Sequence, residues 1–300
     1  MNEPISKSAF IAIVGCPNVG KSSILNRLLG QKVAIVSPKP QTTRTGITGV
    51  LTTADNVQLV FTDTPGFHKP KNKLGEIMLK AVDDSISGVD ACLLVVEPEK
   101  EPRPAELELA RRIAKSKIPA VLAVNKTDSV RDKTEIATTI LMFTKLCNFA
   151  AVVPVSALKD EGIDALLEEL KALSGESIQF FPDDTLTDQP ERVIAAELIR
   201  EKMLLRLDKE VPHGVAVSIE RFAERDDADI LDIDAVIYCE KESHKGIIIG
   251  KHGAMLKAVS TAARIDLERF FEIKVNLKCW VKVKEDWRNR EGLIHNFGLD

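Results

Sequence analysis

At 300 residues the chain is long enough for about two domains, at roughly 100–200 residues each, and its 44% hydrophobic content is ordinary for a folded, water-soluble chain. A membrane-spanning helix needs about 18 consecutive apolar residues, whereas the long runs here, such as IPAVLAV from Ile118, break after seven. The net charge of −4 argues mildly against nucleic acid on average, but residues 220–240 hold eight acids and two bases while 241–290 hold twelve bases and six acids. Partner arguments must therefore be made segment by segment.

Five cysteines, Cys16, Cys92, Cys147, Cys239 and Cys279, are an odd number with no CxxC spacing. Most lie among apolar residues, which predicts reduced, packed thiols in a cytosolic protein and no zinc site. The opening MNEPISKSAFIAIVG has a short apolar run leading into glycine, unlike a cleavable signal peptide.

From Phe10 to about Leu173, β-rich runs (FIAIV, VQLVFTD, ACLLVVE, AVLAVNK, AVVPVSA) alternate with amphipathic stretches such as Ala105 to Lys115. Strand, helix, strand in repetition predicts an α/β unit, a mostly parallel sheet with helices on both faces. Two strands split by Ala54-Asp55-Asn56 read as a hairpin, which predicts one antiparallel edge strand. Ser174 to Pro190 carries two prolines, three aspartates and little periodicity, the composition of a linker. The expected boundaries are 1–175, a linker over 176–190, and 191–300. The second unit reads helix, strand, strand, helix, helix, strand.

The first strand ends in GCPNVGKS, from Gly15 to Ser22, which fits the phosphate-loop pattern G-x-x-x-x-G-K-[ST]. Its glycines let backbone N–H groups curl around phosphates at a helix N-terminus. Lys21 would reach the β- and γ-phosphates, and Ser22 would ligate Mg²⁺. The base is chosen elsewhere, in NKTD (Asn125 to Asp128). The Asp128 carboxylate can accept both N1–H and the exocyclic amine of guanine, a donor pair adenine lacks. Ser156-Ala157-Leu158 follows another strand and can offer N–H to the guanine oxygen. DTPG ends a further strand: Asp63 can hold Mg²⁺ through water, and the Gly66 N–H can sense the γ-phosphate. In the VSPKPQTTRTG loop a threonine would complete the Mg²⁺ shell only with the γ-phosphate present, with Thr43 favoured over Thr42.

PNVGKS, QTTR, DTPG, NKxD and SAL, in this order and spacing, resemble the translation-factor-related GTPases, and specifically the Era family. The resemblance spans essentially the whole chain. It implies a P-loop G domain built on a six-stranded sheet, hydrolysing GTP to GDP with Mg²⁺ held by Ser22, Thr43 and Asp63. It also implies nucleotide contacts from Gly15, Pro17, Asn18, Val19, Gly20, Lys21, Ser22, Ser23, Asp63, Gly66, Asn125, Lys126, Asp128, Ser156 and Ala157, with Lys21, Thr43 and Gly66 serving the reaction. Ras-like proteins place a water-orienting glutamine just after the DxxG glycine. Here Phe67 stands there, with His68 beside it as a weak candidate base. Some relatives with a hydrophobic residue at this place use K⁺, which Asn18 would ligate here; an asparagine bracing the loop is the other reading. Slow intrinsic turnover dependent on a second input is expected.

In the second unit, GKHG (Gly250 to Gly253) follows IIIG and opens an amphipathic helix, so its N–H groups can meet a nucleic-acid backbone. Lys251 and His252 would sit at the tip, with Lys245 and Lys257 nearby. The element order matches an α+β type II KH domain, as in the Era family. The last strand alternates strictly, placing Lys274, Lys278, Lys282 and Lys284 around Trp280 on one face. That face suits phosphate binding and stacking, but lysines on an edge strand also block sheet-to-sheet association. The acidic ERDDADILDID stretch reads as a solvated hairpin away from the RNA.

The resemblance further implies single-stranded RNA at the 3′ end of small-subunit (16S) rRNA, a role in maturing the 30S subunit, no DNA, and a cytoplasmic monomer. A GTPase whose second domain docks a protein, or the inner face of the membrane, is the alternative reading.

Overall fold

A computed structural model describes residues 6–99 and 101–299. Part of the opening stretch, residues 1–5, lies outside them. The backbone clusters into two compact units. The first holds the described residues up to Ala34, Thr43–Lys71 and Gly75–Asp188; the second holds Ile35–Thr42, Asn72–Leu74 and Gln189 onward.

In chain order the first unit forms β1 (Lys7–Val14), α1 (Lys21–Leu29), β2 (Ile47–Thr52), β3 (Val57–Asp63) and α2 (Lys73–Ile86, whose first residues cluster with the second unit). Next come β4 (Ala91–Val96), α3 (Pro104–Ser116), β5 (Ala120–Val124), α4 (Thr134–Thr144), β6 (Ala151–Pro154), α5 (Ile163–Lys171) and the two-residue β7 (Gly175–Glu176). The sheet order is β2-β3-β1-β4-β5-β6, with β7 added against the start of β1. All these pairings are parallel except β2 with β3, the expected hairpin, and β7 with β1.

β4 and β5 are buried at every position, as uninterrupted apolar runs must be when helices cover both faces. On one face Ile11 and Ile13 meet Ile24 and Leu25 of α1 and Leu166 and Leu170 of α5. On the other, Ala12 and Val14 join a cluster with Val82 of α2, Leu109 and Ile113 of α3 and Phe143 of α4. The parallel strands all end on one edge, and the loops there carry the phosphate-loop, DTPG and NKTD residues. That edge is where open α/β sheets bind ligands.

The aperiodic stretch after α5 is tied down residue by residue. The Gln58 side chain donates to Phe181 O (2.9 Å) and accepts from the N–H groups of Phe180 (2.7 Å) and Phe181 (3.0 Å). Thr187 Oγ1 donates to Thr48 O (2.6 Å), Val50 N–H donates to Leu186 O (2.9 Å), and Phe180 packs edge-on against Phe10. One buried amide supplies partners that a strand would have found in a ladder, so no periodic pattern is needed.

The second unit forms α6 (Glu191–Arg206), β8 (Ala216–Arg225), β9 (Ala228–Cys239), α7 (Glu242–Ile249), α8 (Ala254–Phe271), β10 (Lys274–Val283) and α9 (Glu291–Asn296). β9 is central, antiparallel to β8 and parallel to β10. Val259, Ala263 and Leu267, four residues apart on α8, are fully buried with Ile194, Leu198 and Ile199 of α6. α9 carries no strong pattern in the sequence. It is anchored by a fully buried Trp287, whose Nε1–H donates to Gly214 O (2.9 Å), and by Phe297 against Tyr238 and Trp287. The β8–β9 region is not wholly solvated. Asp232 is buried and accepts from Arg225 at both carboxylate oxygens (3.0 and 2.8 Å) and from Asn276 (2.7 Å), which hold its carboxyl well below the ordinary range.

Candidate nucleotide and RNA sites

The turn from β1 into α1 is a phosphate cradle by construction. Gly20 has φ +97°, and a Cβ there would lie 2.2 Å from Asn125 Nδ2, so only glycine fits. Lys21 is buried and its Nζ donates to Gly15 O (3.2 Å) and Cys16 O (3.1 Å). Burial pushes the Lys21 ammonium below its usual range, while the Asp63 carboxylate opposes that shift. A desolvated cation at this place is suited to a polyanion.

Ser22, Thr43 and Asp63 meet beside it, although 41 residues separate the first from the last. Ser22 Oγ donates to Asp63 Oδ2 (2.6 Å), Thr43 Oγ1 donates to the same oxygen (3.1 Å), and the two hydroxyls are 3.0 Å apart. Asp63 Oδ1 is buried with no hydrogen-bond partner among the described residues. Burial drives the Asp63 carboxyl upward, against the pull of Lys21, Ser22 and Thr43. Two hydroxyls and an orphaned carboxylate oxygen form an oxygen donor set fit for Mg²⁺. Thr42 lies outside it: its hydroxyl donates to Lys39 O (2.6 Å) and pairs with Ser37 Oγ (2.7 Å).

Asn125, buried at the end of β5, knits three loops together. Its Nδ2 donates to Val19 O (2.8 Å) and its Oδ1 accepts the Ala157 N–H (3.0 Å). That N–H belongs to the Ser156–Leu158 stretch, which can offer backbone N–H to a guanine oxygen, and in this structure it ties that stretch to Asn125. Lys126 Nζ donates to Asn18 O (2.6 Å) and pairs with Glu97 (2.5 Å). Ser156 Oγ donates to Asp128 Oδ1 (2.5 Å), aligning the carboxylate from one side. The Phe67 N–H donates to Gly15 O (3.0 Å), bringing the DTPG end back to the phosphate loop. Phe67 itself is buried in the cluster with Val82 and Ile86, under the Arg112 guanidinium (4.9 Å to the ring centroid), so its ring is withdrawn from where a glutamine would orient water. His68 Nδ1 lies 2.7 Å from Gly66 O.

In the second unit GKHG forms a tight turn. Gly250 (φ +73°) and Gly253 (φ +79°) flank it, a Cβ on Gly250 would sit 2.7 Å from Met255 Cβ, and His252 adopts φ +52°. Lys251, His252 and Lys257 are exposed; Lys245 on α7 is partly so, with Glu242 at 3.8 Å. Sequence reasoning missed Ile247. The helical period buries Ile248 fully and leaves Ile247 half exposed one turn before the glycines. An exposed apolar residue beside such a glycine-flanked turn is a surface on which an unstacked base can pack.

A model of KH domains matches residues 210–288, and a model described as 50S ribosome-binding GTPase matches 10–126. The GTPase Era of Ruminiclostridium cellulolyticum is 49% identical over 292 residues, 97% of each chain, and that of Clostridioides difficile is 49% identical over 294 residues, 98% of this chain and 99% of its own. The chain belongs to the Era family of GTPases. Two solved Era structures superpose with TM-score 0.94 at 36% identity, covering 98% of this chain and 99% of theirs: one in complex with MgGDPNP and nucleotides 1506–1542 of 16S ribosomal RNA, the other an Aquifex aeolicus variant bound to GDP·AlF4−. Among the described residues no helix is long and apolar enough to cross a membrane.

All five cysteines are free thiols. Burial, with Glu106 adding to it, pushes the Cys16 thiol up to about 11, and burial pushes Cys92 up to about 12. The thiolate is the reactive form. Iodoacetamide at pH 8 is therefore expected to leave Cys16 and Cys92 unlabelled in the native protein and to label them after denaturation; rapid native labelling of Cys16 would contradict this phosphate-loop environment.

Proposed function

We propose that this protein is a GTP-hydrolysing switch that binds the 3′ region of 16S rRNA and acts in assembly of the small ribosomal subunit. The observation that carries the switch is the meeting of Ser22, Thr43 and the orphaned Asp63 oxygen beside the buried Lys21. The G domain spans residues 1–175, a linker 176–190 and the KH domain 191–300. The family model that names the 50S subunit covers only residues 10–126, within the GTP-binding half, so it does not bear on the RNA taken by the KH half.

Lys21 neutralises charge on the β- and γ-phosphates, and the N–H groups of the loop from Gly15 to Ser23 line them. Ser22, Thr43 and Asp63 would hold Mg²⁺, which would supply positive charge to offset the negative charge developing on the phosphates. Asp128, steadied by Ser156, accepts from the guanine edge, and Asn125 keeps the phosphate and base loops in register. Gly66 N–H senses the γ-phosphate. With an apolar, buried Phe67 at the position of the usual glutamine, no polar group there orients water, so intrinsic turnover is slow. Asn18, in a left-handed conformation with its carbonyl held by Lys126, is the residue that would ligate K⁺.

RNA lies along the GKHG turn, its backbone against Gly250 to Gly253 and its phosphates against Lys245, Lys251 and Lys257, with Ile247 under a base. Binding of GTP and of RNA is coupled, each strengthening the other by one factor. The protein works as a cytoplasmic monomer, a compartment that suits five free thiols. Attachment to the inner face of the membrane would rest on the lysines of β10 alone, one of which, Lys282, already faces Glu220 at 3.4 Å.

The test is Lys251→Glu in the full chain, titrated with a synthetic RNA of nucleotides 1506–1542 at several salt concentrations. Binding should weaken, and the slope of log affinity against log salt should fall by about 0.7 for each single-strand phosphate that the variant no longer neutralises. An unchanged slope and affinity would remove the GKHG turn from the RNA path.

A further inference from the structure

The segment Ile35–Thr42, which leads directly into the Mg²⁺ residue Thr43, clusters with the second unit and is seated on α6. Ile35 is buried in that unit's core. The Arg200 guanidinium, almost fully buried, donates to the carbonyl of Thr42 and reaches Gln41 O at 3.5 Å, while Glu197 grips it at 2.7 and 2.5 Å. Glu201 Oε1 accepts the Val36 N–H (2.9 Å), and its Oε2 accepts from Lys202 Nζ (2.7 Å). The same Nζ donates to Asp266 on α8, the helix that opens at GKHG.

We propose that Arg200, Glu201 and Lys202 form a relay through which the seating of Ile35–Thr42 sets the position of α8, and so of the RNA-binding turn. This deepens the proposed coupling of GTP and RNA and rests on it. Thr42 and Thr43 are neighbours, their Cα atoms about 3.8 Å apart across a trans peptide. Moving Thr43 toward or away from the metal site therefore drags the Thr42 carbonyl relative to Arg200. A buried guanidinium tolerates the loss of an acceptor poorly, so the seat is held or released as a whole. Release also takes the Val36 N–H from Glu201. That buried carboxylate then turns more fully to Lys202, at the expense of the Lys202–Asp266 pair that ties α6 to α8. Lys202, Glu201 and Asp266 form a continuous hydrogen-bonded network in this structure, and the relay assigns it a second arrangement when the seat is released.

The experiment measures the affinity of the full chain for the 1506–1542 RNA with Mg²⁺ and either GDPNP or GDP. Wild type is expected to bind about 5–150-fold more tightly in one nucleotide state than in the other. In Lys202→Met, and in Asp266→Asn should the first fail to fold, that ratio should collapse to within about twofold of unity, with GDP affinity and the salt slope of RNA binding retained. Asp208→Asn removes only the exposed pair with Lys39 on the same segment and should leave the ratio at the wild-type value. A wild type with no nucleotide dependence overturns the coupling and the relay together. A coupled wild type whose Lys202 and Asp266 variants stay fully coupled overturns the relay alone, as does equal loss of coupling in Asp208→Asn.

Discussion

Asp128→Asn is expected to weaken GTP and GDP binding by about 2–4 kcal/mol, roughly thirty- to a thousandfold, and to raise affinity for xanthosine triphosphate. A carboxylate accepts at both oxygens, so one group takes guanine N1–H and the exocyclic amine together. Asparagine keeps one acceptor and sets an NH₂ donor against the amine, leaving two donors face to face. Xanthine has a carbonyl where guanine has the amine, so the same NH₂ now finds an acceptor and the charge repulsion of the wild type is gone. Ser156 Oγ can donate to the asparagine oxygen as it does to Asp128 Oδ1. The loop should therefore fold unchanged, and the effect should be confined to base choice. Titration of fluorescent GDP, competed by each triphosphate, gives the ratio; an unaltered preference for GTP would mean that guanine is read elsewhere.

The nucleotide site is readable from sequence because its chemistry resides in short contiguous strings at strand ends, and a strand end fixes where a loop points. GCPNVGKS, DTPG and NKTD carry their own geometry, and a parallel sheet brings all three to one edge. The sequence favours Thr43 over Thr42, and the hydroxyl that reaches Asp63 is that of Thr43. Patterns fail where the partner is distant and single. Gln58 lies in a strand with nothing to mark it, yet it holds Phe180 and Phe181, more than 120 residues on. Arg200 and Glu201 fall in a helix whose apolar residues alone suggest simple core packing, and their work depends on carbonyl and N–H groups of a loop about 160 residues earlier. α9 escapes notice for a similar reason: six residues are too few for a period, and its anchor, Trp287, finds Gly214 O across 73 residues. Ile247 is misjudged when hydrophobicity is read without phase, since one step around a helix separates a core residue from a surface one.

Lys21→Met is expected to lower the rate of GTP hydrolysis by about 10²–10³, the order seen when a group aimed at developing charge is removed, and to weaken GTP more than it weakens the fold. Methionine nearly matches the lysine stem and removes only the ammonium. In the wild type that ammonium is buried, and burial lowers its affinity for a proton. A lysine held below its unfolded value binds protons less readily folded than unfolded, so its charge costs the free protein stability at neutral pH, and the cost is relieved only as pH rises through the lowered value. Removing the charge should thus leave the nucleotide-free protein as stable as wild type or more so. Two consequences distinguish this from simple damage. Lys21 is one of the groups holding the Asp63 carboxyl down, so without it Asp63 binds its proton more tightly and Mg²⁺ less well. The rise in melting temperature that Mg²⁺ and GTP give the wild type should largely disappear, since that rise scales with ligand affinity. Calorimetry with and without nucleotide separates the cases: a variant that melts early in both has lost its fold, whereas one that melts normally when free and gains nothing from GTP has lost the charge that the phosphate loop was built to present.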